Sequence, residues 1–155
     1  MSMGIRAALR RPDPNEDQRI LHQVWLLLEI IRADAEASDE DLVAALHRHG
    51  VETRRARRLV VFVPMAFGRD LASRMHVRTR LDVSIRRADG SWVTRPLQAF
   101  PEFRVAEELT QQLGRDDYSA LARRSAEVAV ISKALDDGSG VEGGEVRSVT
   151  PWDLL

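Results

Sequence analysis

Cysteine is absent from the 155 residues, which removes disulfides, thiolate metal sites and cysteine nucleophiles together and fits a reducing compartment. Lysine is almost absent as well: of 23 basic residues, 22 are arginine and only Lys133 is lysine. A G+C-rich coding sequence accounts for part of that bias. The chemical part is that a guanidinium fork suits carboxylates and phosphates better than an ammonium does. Long hydrophobic runs are missing too. The least polar stretch, Leu59 to Gly68, covers ten residues, short of the roughly 20 that a membrane-spanning helix needs. Residues 1–11 lack the apolar core of about 7–15 residues found in a secretory signal, so a cytoplasmic protein is expected.

Catalytic signatures are equally scarce. The sequence has no G-x-S-x-G, no G-x-x-x-x-G-K-[ST] and no G-x-G-x-x-G. The glycines at 138, 140, 143 and 144 neither follow a strand nor open a helix, and read as linker. His47 and His49 lie two apart, which on a helix points them in different directions. With His22 and His76 far away, no ligand set converges by spacing, and neither a metal nor a cofactor is expected.

What is present is a separation of charge beneath a formal net charge of -1. Residues 1–41 carry 5 basic and 9 acidic side chains, residues 42–95 carry 12 and 4, and residues 96–155 carry 6 and 11. The middle third is a basic island between acidic flanks.

The uncharged Leu59–Gly68 run reads as the centre of a soluble core, around which the other elements pack. Residues 1–14 read as a loose arm, with Asn15 as the N-cap of a helix whose stripe is Leu21, Val24, Trp25, Leu28 and Ile31. Trp25, inside that stripe, is expected in the core. Ser38 with Asp39, Glu40 and Asp41 starts a second helix, presenting Leu42, Val43, Ala45 and Leu46 and stopped by Gly50. Thr53 can cap a third, with Arg54, Arg55, Arg57 and Arg58 outward, Ala56, Leu59, Val60, Val63 and Phe67 inward, and a kink at Pro64. A strand over Arg58–Val63 competes with it, because Val-Val-Phe-Val is β-prone; the helix is preferred.

From His76 the period changes to two. Val77, Leu81, Val83 and Ile85 share one face, Arg78, Arg80 and Arg86 the other, and Ala88-Asp89-Gly90 turns the chain into a return strand over Ser91–Leu97. Pro101 opens a helix with Glu102 in its first turn and Val105, Ala106, Leu109 and Leu113 as its buried side. Asp116 caps a long last helix reaching Leu135, before Gly-rich residues 138–144 and an abruptly apolar Pro151-Trp152-Asp153-Leu154-Leu155. That end is expected to dock as an anchor, on its own body in preference to a second chain.

The fold expected is mainly α: a single domain over residues 1–137 with about five helices and a two-stranded hairpin at about 77–97, between the third and fourth helices, followed by a linker and tail over 138–155. Residues 41–63 have the outline of a helix-turn-helix, but Thr53 alone among the exposed polar residues could read bases beside the arginines. The leading functional expectation is a small cytoplasmic bacterial protein that binds a protein partner or itself as an adaptor, chaperone or inhibitor. The alternative is a nucleic-acid-binding regulator, and an enzyme would need a site assembled from residues distant in sequence. The candidate binding residues are Arg54, Arg55, Arg57, Arg58, Arg78, Arg80, Arg86, Trp152, Leu154 and Leu155. No membrane partner is expected.

Overall fold

The computed structural model describes residues 13–74, 82–125, 146–147 and 152–155. Its elements in chain order are α1 (Pro14–Ala33), α2 (Asp39–Arg48), α3 (Thr53–Arg74), β1 (Asp82–Arg86), β2 (Trp92–Pro96), a 3-10 turn (Leu97–Ala99), α4 (Pro101–Leu109), α5 (Arg115–Ala122) and β3 (Val146–Arg147). The chain is mainly α, with five helices and an antiparallel hairpin between the third and fourth. Among the described residues no helix is long and apolar enough to cross a membrane. The arm expected over 1–14 lies outside the described residues except for its last two, as do strand positions 77–81 and most of the Gly-rich linker.

α3 is the hub. Every residue from Leu59 to Gly68 is buried, and the helix packs against α1, α2, α4 and α5. The β-prone run is helical because only a helix can present an all-apolar surface to four neighbours at once. α3 runs on through Pro64, which has no N–H to give the Val60 carbonyl one turn back. The Phe62 and Phe100 rings stack 4.2 Å apart, and Phe67 meets Tyr118 edge-on at 5.4 Å, so the aromatic pairs fix α4 and α5 to the hub. The Tyr118 hydroxyl donates to Asp70 Oδ2 at 2.6 Å, and Arg74 pairs with the same carboxylate at 2.8 Å.

Local signals place most of the helix ends. Ser38 caps α2 by accepting from the Asp41 N–H, and a four-residue turn with Gly50 at φ +89° leads into α3. α1 differs from expectation: its N-cap is Asp13, which accepts from the Asn15 N–H, with Pro14 at the first helical position where a missing donor costs nothing. α5 is capped by Gly114, not Asp116, and its described part ends at Ala122; the longer helix expected beyond falls outside the described residues after Ser125.

The buried line of α1 is Ile20, Val24, Leu27, Leu28 and Ile31. Trp25 is not in it. One residue on from Val24 is about 100° around the helix, and Trp25 stands 37% exposed, which corrects its placement in the core.

β1 and β2 pair with Ile85 opposite Val93 and Arg86 opposite Trp92. Ile85 is buried and Arg86 exposed, as alternation requires. Gly90, at φ +88°, supplies the left-handed turn residue. β3 lies on the other side of β1, parallel to it, with Val83 opposite Val146, and makes the sheet three-stranded in the order β2-β1-β3. The tail region is thus tied to the sheet at Val146–Arg147.

Candidate functional site

The first turns of α3 expose one side of a helix whose other side, Ala56, Leu59, Val60 and Val63, is core. Arg55 and Arg58 are three residues apart, so they project from neighbouring positions on one face. Between them lies Glu102, brought there because Pro101 starts α4 directly beside α3. Glu102 has no exposed surface at all. Its Oε1 is 3.5 Å from Arg55 Nε and 3.7 Å from Arg58 Nη1, and neither carboxylate oxygen accepts a hydrogen bond of ordinary geometry among the described residues. The pairing is therefore Coulombic. Arg55 also donates to Glu16 Oε1 at 2.8 Å. Burial pushes the Glu102 carboxyl above its usual range, opposed first by its own main-chain N–H and then by the charges of Arg55 and Arg58. Burial likewise pulls Arg58 down, with Glu102 acting the other way.

Arg58 has a second partner. Its Nε donates to the main-chain oxygen of Leu154 at 2.7 Å, and its Nη2 lies 3.5 Å from that of Leu155. The guanidinium also covers the Phe100 ring at 5.6 Å. One residue earlier, the Arg57 guanidinium lies 5.7 Å from the Trp152 ring centroid. From the hairpin turn, Arg87 Nε donates to Asp153 Oδ2 at 3.2 Å and the Ala88 N–H to the same oxygen at 3.3 Å. Asp153 Oδ1 accepts from the Leu155 N–H at 3.0 Å, a turn closed by the side chain itself. The Leu155 N–H does most to hold the Asp153 carboxyl below its ordinary value, followed by Ala88 and Arg87 against a smaller opposing effect of burial. Leu154 is completely buried and belongs to the core cluster, with Trp152 and Leu155 packed half-buried against it.

Of the residues singled out in the sequence, the structure gathers Arg57, Arg58, Trp152, Leu154 and Leu155 into one seat on α3. Arg55 turns to Glu16 and Glu102 instead. Arg54 and Arg86 stay exposed, and Arg78 and Arg80 lie outside the described residues. The outline of a helix-turn-helix is present in α2 and α3, but three of the four arginines at the start of α3 are engaged within the chain, so they do not form an open basic face. No protein-family model matches the chain, and neither the curated proteins nor the solved structures contain a match to it.

Glu102, Arg87 and Phe100 were not foreseen. For Glu102 the signal was available: with Val105, Ala106 and Leu109 it follows the i, i+3, i+4, i+7 spacing of the buried stripe, so the acid sits on the apolar face itself. Arg87 had no such signal, since its partner is 66 residues away. Elsewhere, His47 Nδ1 is occupied near the Val51 carbonyl oxygen at 3.1 Å, and no group of three or more metal-ligating side chains exists among the described residues.

Proposed function

We propose that this chain works by binding another protein, and that the surface it uses is the seat on α3 and the hairpin turn now filled by its own Trp152–Leu155 segment. The observation that carries this reading is how that segment is held. One side chain, Leu154, is wholly buried, while the main-chain oxygens on either side of its peptide link go to a single arginine. A groove that takes a leucine and hydrogen-bonds the peptide backbone is the arrangement by which proteins receive short segments of other proteins. The internal use of Arg55, Arg57 and Arg58 supports a protein partner over nucleic acid, which would need those cations free for phosphates. The cysteine-free composition suits a reducing, cytoplasmic setting.

The test is a full-length Trp152→Ala, Leu154→Asp double variant, whose own tail no longer fits, titrated with a labelled peptide of residues 148–155. The variant is expected to bind the peptide. The wild type binds it far more weakly, because a tethered tail competes at an effective concentration of about millimolar. Equal binding by the two proteins, or none by a variant that circular dichroism shows to be folded, would refute the reading.

A further inference from the structure

The seat meets three consecutive residues in three different ways, and that difference specifies what else could enter it. Trp152 presents a ring to the Arg57 guanidinium. Leu154 presents an aliphatic side chain with no exposed surface. Between them Asp153 does two things at once. Its Oδ2 faces Arg87 Nε and the Ala88 N–H on the hairpin turn, and its Oδ1 accepts from the N–H two residues on. The first role needs negative charge, and the second needs a side chain short enough to reach its own backbone. Asparagine keeps the reach and loses the charge, glutamate keeps the charge and loses the reach, and aspartate alone has both.

Resting on the proposed seat, we infer that the partner is a protein segment carrying an aromatic residue, an aspartate and a leucine in succession, which displaces the chain's own Trp152-Asp153-Leu154. The charge of the seat agrees. Arg57, Arg58 and Arg87 face the occupant, and among the described residues the nearest acid of the seat, Glu102, lies beneath Arg58 and is sealed from solvent. An acidic segment is therefore attracted and a basic one repelled. Because Arg58 reads main-chain oxygens, the positions flanking the triplet are free to vary.

The experiment uses the folded full-length Trp152→Ala, Leu154→Asp variant with labelled peptide 148–155 bound, and measures competition by unlabelled peptides. In the peptide, Leu154→Ala is expected to weaken binding by about 30-fold or more, since it empties the one fully enclosed position. Asp153→Asn loses about 2–5-fold, the range of a half-exposed ion pair, and Asp153→Glu weakens binding for the other reason. Asp153→Lys weakens it by about tenfold or more, and a protein that also carries Arg87→Glu recovers the Lys peptide while losing preference for the parent. That reversal is a readout a merely structural role for Arg87 would not give. If the parent peptide binds and the Asn, Glu and Lys peptides compete equally with it, the acid is not read and this inference fails while the seat stands. If the parent peptide itself does not bind, the seat and the inference fail together.

Discussion

Leu154→Ala separates a tail that is a displaceable occupant from one that is an inseparable part of the core. Leu154 has no exposed surface, so the substitution removes about three carbon atoms' worth of transfer free energy at about 0.8 kcal/mol each, and a residual cavity raises the loss to about 3–4 kcal/mol if everything else stays in place. The tail need not stay in place. Its contacts are the Leu154 side chain, a half-buried Trp152 and the charge-assisted bond from Arg58, together about 6 kcal/mol. Ordering the backbone of residues 152–155 opposes this by about 4–6 kcal/mol. Net docking is then only about 1–2 kcal/mol, less than the substitution removes, so the tail lets go and the loss stops there. The expected result is a fall of about 1–2 kcal/mol, or roughly 3–6 °C in melting temperature, equal to that of a chain ending at Arg147. Urea denaturation followed by circular dichroism at 222 nm measures both. A loss near or above about 4 kcal/mol in both proteins would show the tail to be core and refute the reasoning. So would no loss at all from Leu154→Ala.

Glu102→Gln should reveal the raised Glu102 carboxyl. A group whose folded pKa is raised contributes stability that is fully present below its unfolded pKa of about 4.3 and is lost as pH rises through the folded value, so wild-type stability minus variant stability should fall as pH increases from 3 to 8; a flat difference refutes it. Asp17 accepts two bonds from Arg104, at 2.8 and 2.9 Å, that hold its carboxyl low. Asp17→Asn should cost about 1–2 kcal/mol at neutral pH, a deficit that disappears as pH falls below the depressed Asp17 pKa. Trp25→Ala should cost clearly less than the about 3–5 kcal/mol of a buried aromatic, whereas Leu27→Ala costs about 2–5 kcal/mol; chemical denaturation ranks them. On duplex DNA at low ionic strength the wild type should show no salt-dependent retention, and a slope of about -0.9 per phosphate contact in log affinity against log salt would reverse the choice of partner.

The helices and the hairpin were legible because periodicity reports burial, and burial is what the fold is organised by. The α1 stripe, the uncharged centre of α3, the change to period two and the Gly90 turn all appear where their patterns put them. Errors arose where a position had two local readings. Asn15 and Asp13 are both capping residues, and Pro14 decided for Asp13. Trp25 lies at the margin of the stripe, where hydrophobicity argues inward and angle argues outward, and the angle prevailed. The site was less legible. Val146 pairs with Val83 across more than sixty residues, and no local signal specifies a two-residue strand. Arg58 reads as one of four outward arginines in the sequence, and its partners on α4 and the tail exist only after folding.

The same distance effect changes the meaning of the basic island. Its arginines reach into both acidic flanks: Arg55 to Glu16 and Glu102, Arg58 to Glu102, and Arg87 to Asp153. Much of the asymmetry along the chain is thus cancelled in space, and charge brings distant segments into register as much as it prepares a surface for a ligand. Arg58 joins the two uses. Beneath it Glu102 supplies a fixed counter-charge that no solvent reaches, and above it the tail supplies carbonyl oxygens. Removing the tail would leave Arg58 paired with Glu102 and newly open to water, so the cation is never stranded. A buried cation with one permanent and one exchangeable partner lets a backbone be released and rebound without an unpaired charge in the core, which is the expensive state.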